Sequence, residues 1–259
     1  MNEEKVTVNG KSIHIRQSKK VDAAYPTLLC IHGNLGSGRW FEPLLADYPG
    51  HAIAPDMPNF GQSDHIDTCT IPSYAEWIAH IADSLGISSA AVLGHSLGGA
   101  VAMELLVQNP ELVDRLILVD SSPIGGLITP KEHYPAIEAY KSDKTILAQA
   151  LKTVVPTIKD EEFFDKLVDD AWAMNRECFI GHAETLGKAV YTERLKGVSV
   201  PTDVISGELD VLITEERANE MATFFGGSAH RFQACGHSPM VEVPEAFNEL
   251  IKTILRGVG

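Results

Sequence analysis

Cationic charge, cysteine and uninterrupted hydrophobic stretches are all in short supply in this chain, and each shortage excludes a class of function. Its 259 residues carry 21 Lys and Arg against 35 Asp and Glu, a formal net charge of −14. Such a surface repels phosphate backbones and anionic headgroups, so neither a nucleic-acid nor a membrane partner is expected. The four cysteines, Cys30, Cys69, Cys178 and Cys235, show neither C-x-x-C spacing nor the density of a small disulfide-rich domain. They are expected to be reduced thiols of a cytoplasmic protein, Cys235 serving in packing. The most hydrophobic stretch, Ala90 to Val107, holds His95, Ser96 and Glu104 with turn glycines between them. It is expected to be a buried strand, turn and helix rather than a membrane span. Met1 to Val6 has no apolar h-region, so no secretory signal is expected. No internal repeat or low-complexity tract is visible.

What is present is an alternation of strand-like and helix-like patterns. Lys5–Val8 and Ser12–Arg16 alternate on either side of Asn9-Gly10, the favoured pair for a tight hairpin. Apolar, β-rich runs follow at Thr27–Ile31, His51–Ala54, Ala91–Leu93 and Leu116–Val119, separated by helical patterns. Strands buried on both faces have this composition, and the alternation implies a parallel sheet. The helix after Pro72 places Tyr74, Trp77, Ile78, Ile81 and Leu85 on one face and stops at Gly86. Beyond Asp120 helical patterns take over, including an amphipathic stripe of Phe163, Phe164, Leu167, Val168, Ala171 and Trp172. The sheet pattern resumes at Pro201–Ser206, then come a helix from Thr214 to Phe225, a short strand near Ala229–Phe232 and a last helix from Pro244. In that last helix Phe247, Leu250, Ile251 and Ile254 face inward. The expected organisation is one α/β core, residues 1–120 and 195–259, interrupted by a helical lid, residues 121–194.

The chemistry is concentrated where the run ending at Leu93 meets Gly94-His95-Ser96-Leu97-Gly98 and then becomes a helix. A serine on a sharp strand-to-helix turn is exposed, lies at the positive end of a helix and needs small neighbours. Serine also needs a base to take its proton and a third group to orient that base. His237, in Gly236-His237-Ser238-Pro239 between the last short strand and the last helix, fits the base. Asp210, at the carboxyl end of the preceding strand, is the favoured acid, with Asp120 and Glu208 as substitutes. The backbone amides of Leu97 and Asn34 are expected to form the oxyanion hole, Asn34 lying in the glycine-bearing loop Ile31–Gly38. That loop has no G-x-G-x-x-G or Walker lysine to mark a phosphate site. Paired His/Asp spacing for a metal is absent as well.

These residues resemble the α/β-hydrolase family, in the lid-bearing branch of small carboxylesterases, lactonases, perhydrolases and carbon-carbon bond hydrolases. The matching marks are His32-Gly33-Asn34, Asp56 to Asp64, the elbow at Ser96, Gly207 to Asp210 and Gly236-His237. The resemblance implies a doubly wound, mostly parallel sheet of eight strands, a lid inserted after the sixth, and no cofactor. Two departures stand out. The family's P-G-x-G-x-S is here Pro58-Asn59-Phe60-Gly61-Gln62-Ser63, and its proline after the acid is replaced by Val211-Leu212-Ile213. Haloalkane dehalogenases and epoxide hydrolases share the fold but use an aspartate where this chain has Ser96. Carbon-carbon hydrolases typically carry a Gly-Pro-Gly run that His32–Ser37 lacks. The expected function is a serine carboxylesterase acting on a small-molecule ester through Ser96, His237 and Asp210. A lactonase or carbon-carbon bond hydrolase is the alternative within the fold; a hydrolase-like ligand receptor with an idle triad is the alternative outside catalysis.

Overall fold

The computed structural model describes residues 1–19 and 21–256. Their strands are β1 (Asn2–Val8), β2 (Lys11–Gln17), β3 (Leu28–Ile31), β4 (Ala52–Pro55), β5 (Ala90–His95), β6 (Val113–Val119), β7 (Thr202–Gly207) and β8 (Ser228–Phe232). They form one sheet in the order β1-β2-β4-β3-β5-β6-β7-β8. β1 and β2 pair antiparallel around Asn9 and Gly10, whose φ values of 48° and 77° are those of a tight primed turn. β2 also runs antiparallel to β4, with Ile15 opposite Pro55, and every pairing from β4 to β8 is parallel. β3, β4, β5 and β7 are buried at every residue, as a sheet covered on both faces requires.

The helices are α1 (Glu42–Asp47), α2 (Ile71–Ser84), α3 (Leu97–Gln108), α4 (Tyr134–Ala139), α5 (Lys144–Val154), α6 (Glu161–Trp172), α7 (Cys178–Lys188), α8 (Glu215–Phe225), α9 (Pro239–Glu242) and α10 (Pro244–Leu255). Thr70 caps α2 through its hydroxyl and Gly86, at φ 71°, follows its end. Ala90 to Val107 is β5, the turn at Ser96 and most of α3. α3 is buried at every residue from Leu97 to Leu106, so it packs under other layers rather than lying amphipathically on a surface. Among the described residues no helix is long and apolar enough to cross a membrane.

α4 to α7 form an insertion between β6 and β7. In α6 the expected stripe is buried at Phe164, Leu167, Val168 and Ala171, whereas Phe163 and Trp172 are half-buried. The Arg176 guanidinium covers the Trp172 ring, 4.6 Å from its centroid. Asp170, a carboxylate on the same helix, is buried as well. Its carboxylate accepts hydrogen bonds from Ser37 Oγ at 2.6 Å and Arg39 Nε at 2.8 Å, so the insertion is tied to the loop after β3.

The departure at Asn59 has a conformational explanation. Its φ is 76°, a region that asparagine tolerates better than other side-chain-bearing residues, so it serves where the family places glycine. Its amide also works: Nδ2 donates to the Thr68 carbonyl at 2.8 Å and Oδ1 accepts from the Ile66 amide at 2.9 Å.

Candidate active site

Ser96 lies between the end of β5 and the first residue of α3 with φ 54° and ψ −117°, a left-handed strain that isolated L residues avoid. The turn is held by Ser96 N donating to the Val119 carbonyl at 3.0 Å, while its own carbonyl accepts from Gly99 and Ser122 at 3.0 and 3.1 Å. Close packing explains two of its glycines. A Cβ on Gly94 would collide with the Gly98 carbonyl, and one on Gly98 would collide with the Ile31 and His32 carbonyls. Leu97, as the first helical residue of α3, has an amide without an intrahelical acceptor. Ser96 is only half-buried, so the serine at this turn retains solvent access.

His237 and Asp210 come together directly. His237 Nδ1 donates to Asp210 Oδ2 at 2.7 Å, and both side chains are almost wholly withdrawn from solvent. Asp210 Oδ1 accepts from the Leu212 amide at 2.7 Å, the first use made of the run that replaces the family's proline. Burial alone would raise the Asp210 carboxyl. The His237 hydrogen bond and charge, the Leu212 amide and Asp120 outweigh it and hold the carboxyl below its ordinary value. Glu208 points elsewhere, accepting from the Ala234 amide at 3.0 Å at an exposed position. Asp120 is buried beside Asp210, and together with His237 these residues bring three potential ligand atoms within 4.8 Å of one another. Chain spacing gave no sign of this trio, because each member comes from a different strand end or loop.

Three residues passed over in the sequence build the surroundings. His95 Nε2 donates to the His237 carbonyl at 2.9 Å and lies 3.2 Å from Ser238 Oγ, joining the serine turn to the loop of His237. Burial holds the His95 imidazole down at about 3, so it is neutral with its proton on Nε2. Glu242 receives the Gly236 and Ser238 amides, each at 3.0 Å, from the His237 loop. It also receives the Thr157 hydroxyl at 2.7 Å, from the insertion. His182, on α7, reaches Asn34. Asn34 Oδ1 accepts from Leu35 N at 3.0 Å and from His182 Nδ1 at 2.7 Å, leaving His182 Nε2 to accept from the Tyr74 hydroxyl at 2.8 Å. His182 stacks flat on Phe60, 4.9 Å between centroids, and burial lowers it to about 3. Periodicity and motif spacing find catalytic positions, but Glu242 and His182 carry neither signal, and His95 fills a variable position of the serine motif.

The loop after β3 packs tightly on the serine turn: a Cβ on Gly33 would lie 2.9 Å from both Ser96 Cβ and His95 Nδ1. His32 anchors the loop in a fixed tautomer. Its Nε2 accepts from the Met57 amide at 3.0 Å, so the proton sits on Nδ1, which faces the Gly33 carbonyl at 2.9 Å.

The expectation of four reduced thiols is corrected for one pair. Cys69 and Cys178, separated by 109 residues, form a disulfide between the loop preceding α2 and the start of α7. Their spacing carried no signal because the pairing depends on how the insertion lies against the core. Cys30 and Cys235 are free and buried, and burial raises both thiols far above the ordinary range. With one pair oxidised, the cysteine argument for a cytoplasmic setting loses its support, since such bonds persist in oxidising compartments. The bond also consumes the thiols of a second cluster of potential metal donors, Cys69, Cys178 and His182.

The sequence profile of the alpha/beta hydrolase family matches residues 28–250. The chain belongs to this family. This hydrolase is 27% identical to the 2-hydroxy-6-oxononadienedioate/2-hydroxy-6-oxononatrienedioate hydrolase of a Pseudomonas species, over 96% of the chain and 93% of that protein. It is 25% identical to the carboxylesterase YbfK of Bacillus subtilis (strain 168), over 94% of the chain and 84% of that protein. A crystal structure of the N-acyl homoserine lactonase AidH superposes with a TM-score of 0.85 at 21% identity, covering 99% of this hydrolase and 98% of that chain. The expected fold class, a doubly wound and mostly parallel eight-stranded sheet, is thereby borne out.

Proposed function

We propose that this hydrolase is a serine carboxylesterase acting on small-molecule esters, with Ser96 as nucleophile, His237 as base and Asp210 as the acid that orients it. The observation that carries the reading is the 2.7 Å hydrogen bond between His237 Nδ1 and Asp210 Oδ2, which leaves Nε2 as the nitrogen free to exchange a proton with serine. Ser96 Oγ attacks the ester carbonyl carbon as its proton passes to His237. The alcohol departs with that proton, leaving an acyl-serine. Water, deprotonated in turn by His237, attacks the acyl carbon and releases the carboxylic acid.

The tetrahedral oxyanions are held by the amides of Leu97 and Asn34. Leu97 begins α3, where unpaired N–H groups and the helix dipole favour negative charge. The Asn34 side chain is engaged by Leu35 and His182, so its contribution is its main-chain N–H. One such donor is worth about 2.7 to 4 kcal/mol in the transition state. The insertion, residues 121–194, acts as a lid and supplies the wall against which the acyl or alcohol group packs.

The test is hydrolysis of a series of p-nitrophenyl esters by the wild-type and Ser96→Ala proteins, with intact mass to detect an acyl adduct. A loss approaching about 10⁶ in kcat on removing the serine, and an adduct only on the wild type, are expected. Turnover unchanged in Ser96→Ala would overturn the reading. A lactone is an intramolecular ester and engages the same groups, so lactone opening is measured beside the ester series. The carbon-carbon hydrolase alternative has the Pseudomonas relative in its favour and the departing His32–Ser37 loop against it.

A further inference from the structure

Asp120 follows β6 directly with φ 41°, a left-handed conformation in a residue that is not glycine, and its amide is pinned to the Ile205 carbonyl at 2.8 Å. Its carboxyl is buried, with the residue 1% exposed. Oδ1 accepts from the Gly207 amide at 3.0 Å, whereas Oδ2 faces no donor among the described residues. Beside this carboxyl, with a carboxylate oxygen of each within 4.8 Å, lies Asp210, which already receives His237 Nδ1 on one oxygen and the Leu212 amide on the other. Two ionised carboxylates this close and withdrawn from water repel strongly; the arrangement becomes favourable when one of them carries a proton.

We propose that Asp120 holds that proton and donates a hydrogen bond from Oδ2 to Asp210, acting as a positioning residue behind the acid. The inference rests on the reading of Asp210 and His237 as acid and base. The partition of the proton follows from the partners. Asp210 has two N–H donors and the potential imidazolium against it, so it is the better carboxylate; Asp120 has one. The other titratable groups facing Asp120 are Glu242 of α9, Cys235 and His237, and none supplies a permanent positive charge. Burial first, then the charge and hydrogen bond of Asp210, push the Asp120 carboxyl well above its ordinary value, with the Gly207 amide pulling the other way.

The consequence is a three-member chain in which Asp210 accepts from both sides. A proton donated by Asp120 spreads the negative charge of Asp210 and weakens its grip on an imidazolium, which keeps the base free at lower pH. Remove the donor and the acid limb of the pH–rate profile moves upward.

The experiment is a ¹³C NMR titration of the full chain labelled at the aspartate carboxyl carbons, the Asp120 resonance being assigned by its loss in Asp120→Asn. The resonance is expected to hold its protonated position at neutral pH, well beyond the ordinary aspartate range. An ionised Asp120 carboxyl at about pH 7 overturns the proposal. The second readout is kcat/KM against pH for p-nitrophenyl acetate. Asp120→Ala is expected to raise the acid limb by about one pH unit, the scale of a hydrogen bond to a charged group. Asp120→Asn, whose amide can donate to Asp210 and accept from Gly207, is expected to restore the limb. A uniform loss of activity in Asp120→Ala with the limb unmoved leaves Asp120 a strand clamp only and overturns the proposal. The titration needs only the wild-type fold and no turnover. Absence of Ser96-dependent hydrolysis therefore defeats the esterase reading while the Asp120 resonance still reports its proton.

Discussion

The main-chain N–H of His237 donates to the Val154 carbonyl at 2.9 Å, so the proposed base hangs from the last residue of an insertion helix. The insertion thus helps to set the geometry at His237 as well as covering the sheet. Leu151, one turn earlier and buried, fixes the end of that helix. Leu151→Ala is expected to cost about 2–5 kcal/mol of stability through the cavity it leaves. It is also expected to lower kcat at temperatures where the protein remains folded. Urea unfolding beside steady-state kinetics checks both, and a stability loss with kcat untouched would show that α5 does not position the base.

His95 provides a second support from the opposite side. Its Nε2 is the donor to the His237 carbonyl, and His95→Ala leaves that buried acceptor unpaired, a cost of about 1–3 kcal/mol. The expected kinetic outcome is a lower kcat with KM little altered, because the contact orients His237 and does not touch the ester. His95→Gln, which offers an amide donor, is expected to recover part of the loss. Equal kinetics in all three proteins would remove His95 from the positioning of the base.

Acid should unfold this protein earlier than its carboxylates alone would dictate. His32, His95 and His182 are held neutral by burial, their imidazoles lowered from 6.5 to about 4, about 3 and about 3. The unfolded chain, with ordinary histidines, binds protons that the folded chain refuses, so stability is full above 6.5 and is lost as pH falls toward 4. With all three contributing, the slope approaches about 4 kcal/mol per pH unit near pH 5. Urea midpoints measured at successive pH values check this. A flat midpoint between pH 7 and about pH 5 would mean that these imidazoles titrate normally in the fold.

Asp56 adds a loss at still lower pH. Burial would raise its carboxyl, but the His14 hydrogen bond, the Arg16 guanidinium at 2.7 Å and the Gln62 amide bring it down to about 2. Its contribution is present above the ordinary carboxylate value of 3.8 and is lost as pH falls toward 2. Asp56→Asn takes from buried Arg16 its nearest carboxylate while leaving it Glu42 at 3.1 Å, and is expected to destabilise by about 1.5–3 kcal/mol at neutral pH, measured by urea unfolding. Unchanged stability would show that Arg16 finds compensation within the core.

The parts of the fold legible in the sequence were those written in local patterns. Asn9-Gly10 announced its hairpin, the apolar runs announced buried strands, and Gly94 to Gly98 announced a turn too tight for side chains. Asp170 was not legible, because a carboxylate on a helix stays wet unless donors arrive from elsewhere, as Ser37 and Arg39 do. Nor was the approach of Asp120 to Asp210. Both could be placed at strand ends, but their mutual contact depends on β6 and β7 being neighbours in register, with Val119 opposite Ile205. His182 lacked any motif and acquires its place at Asn34 only through the packing of α7.

The Cys69–Cys178 bond makes a closed ring of the chain between them, and the ring holds Ser96 and Asp120 while Asp210 and His237 lie outside it. A single cut anywhere in that ring opens it without dividing the molecule. Ile128, 79% exposed, offers a protease such a place. Both halves of the candidate site would then travel together as one covalent species until a thiol separated them.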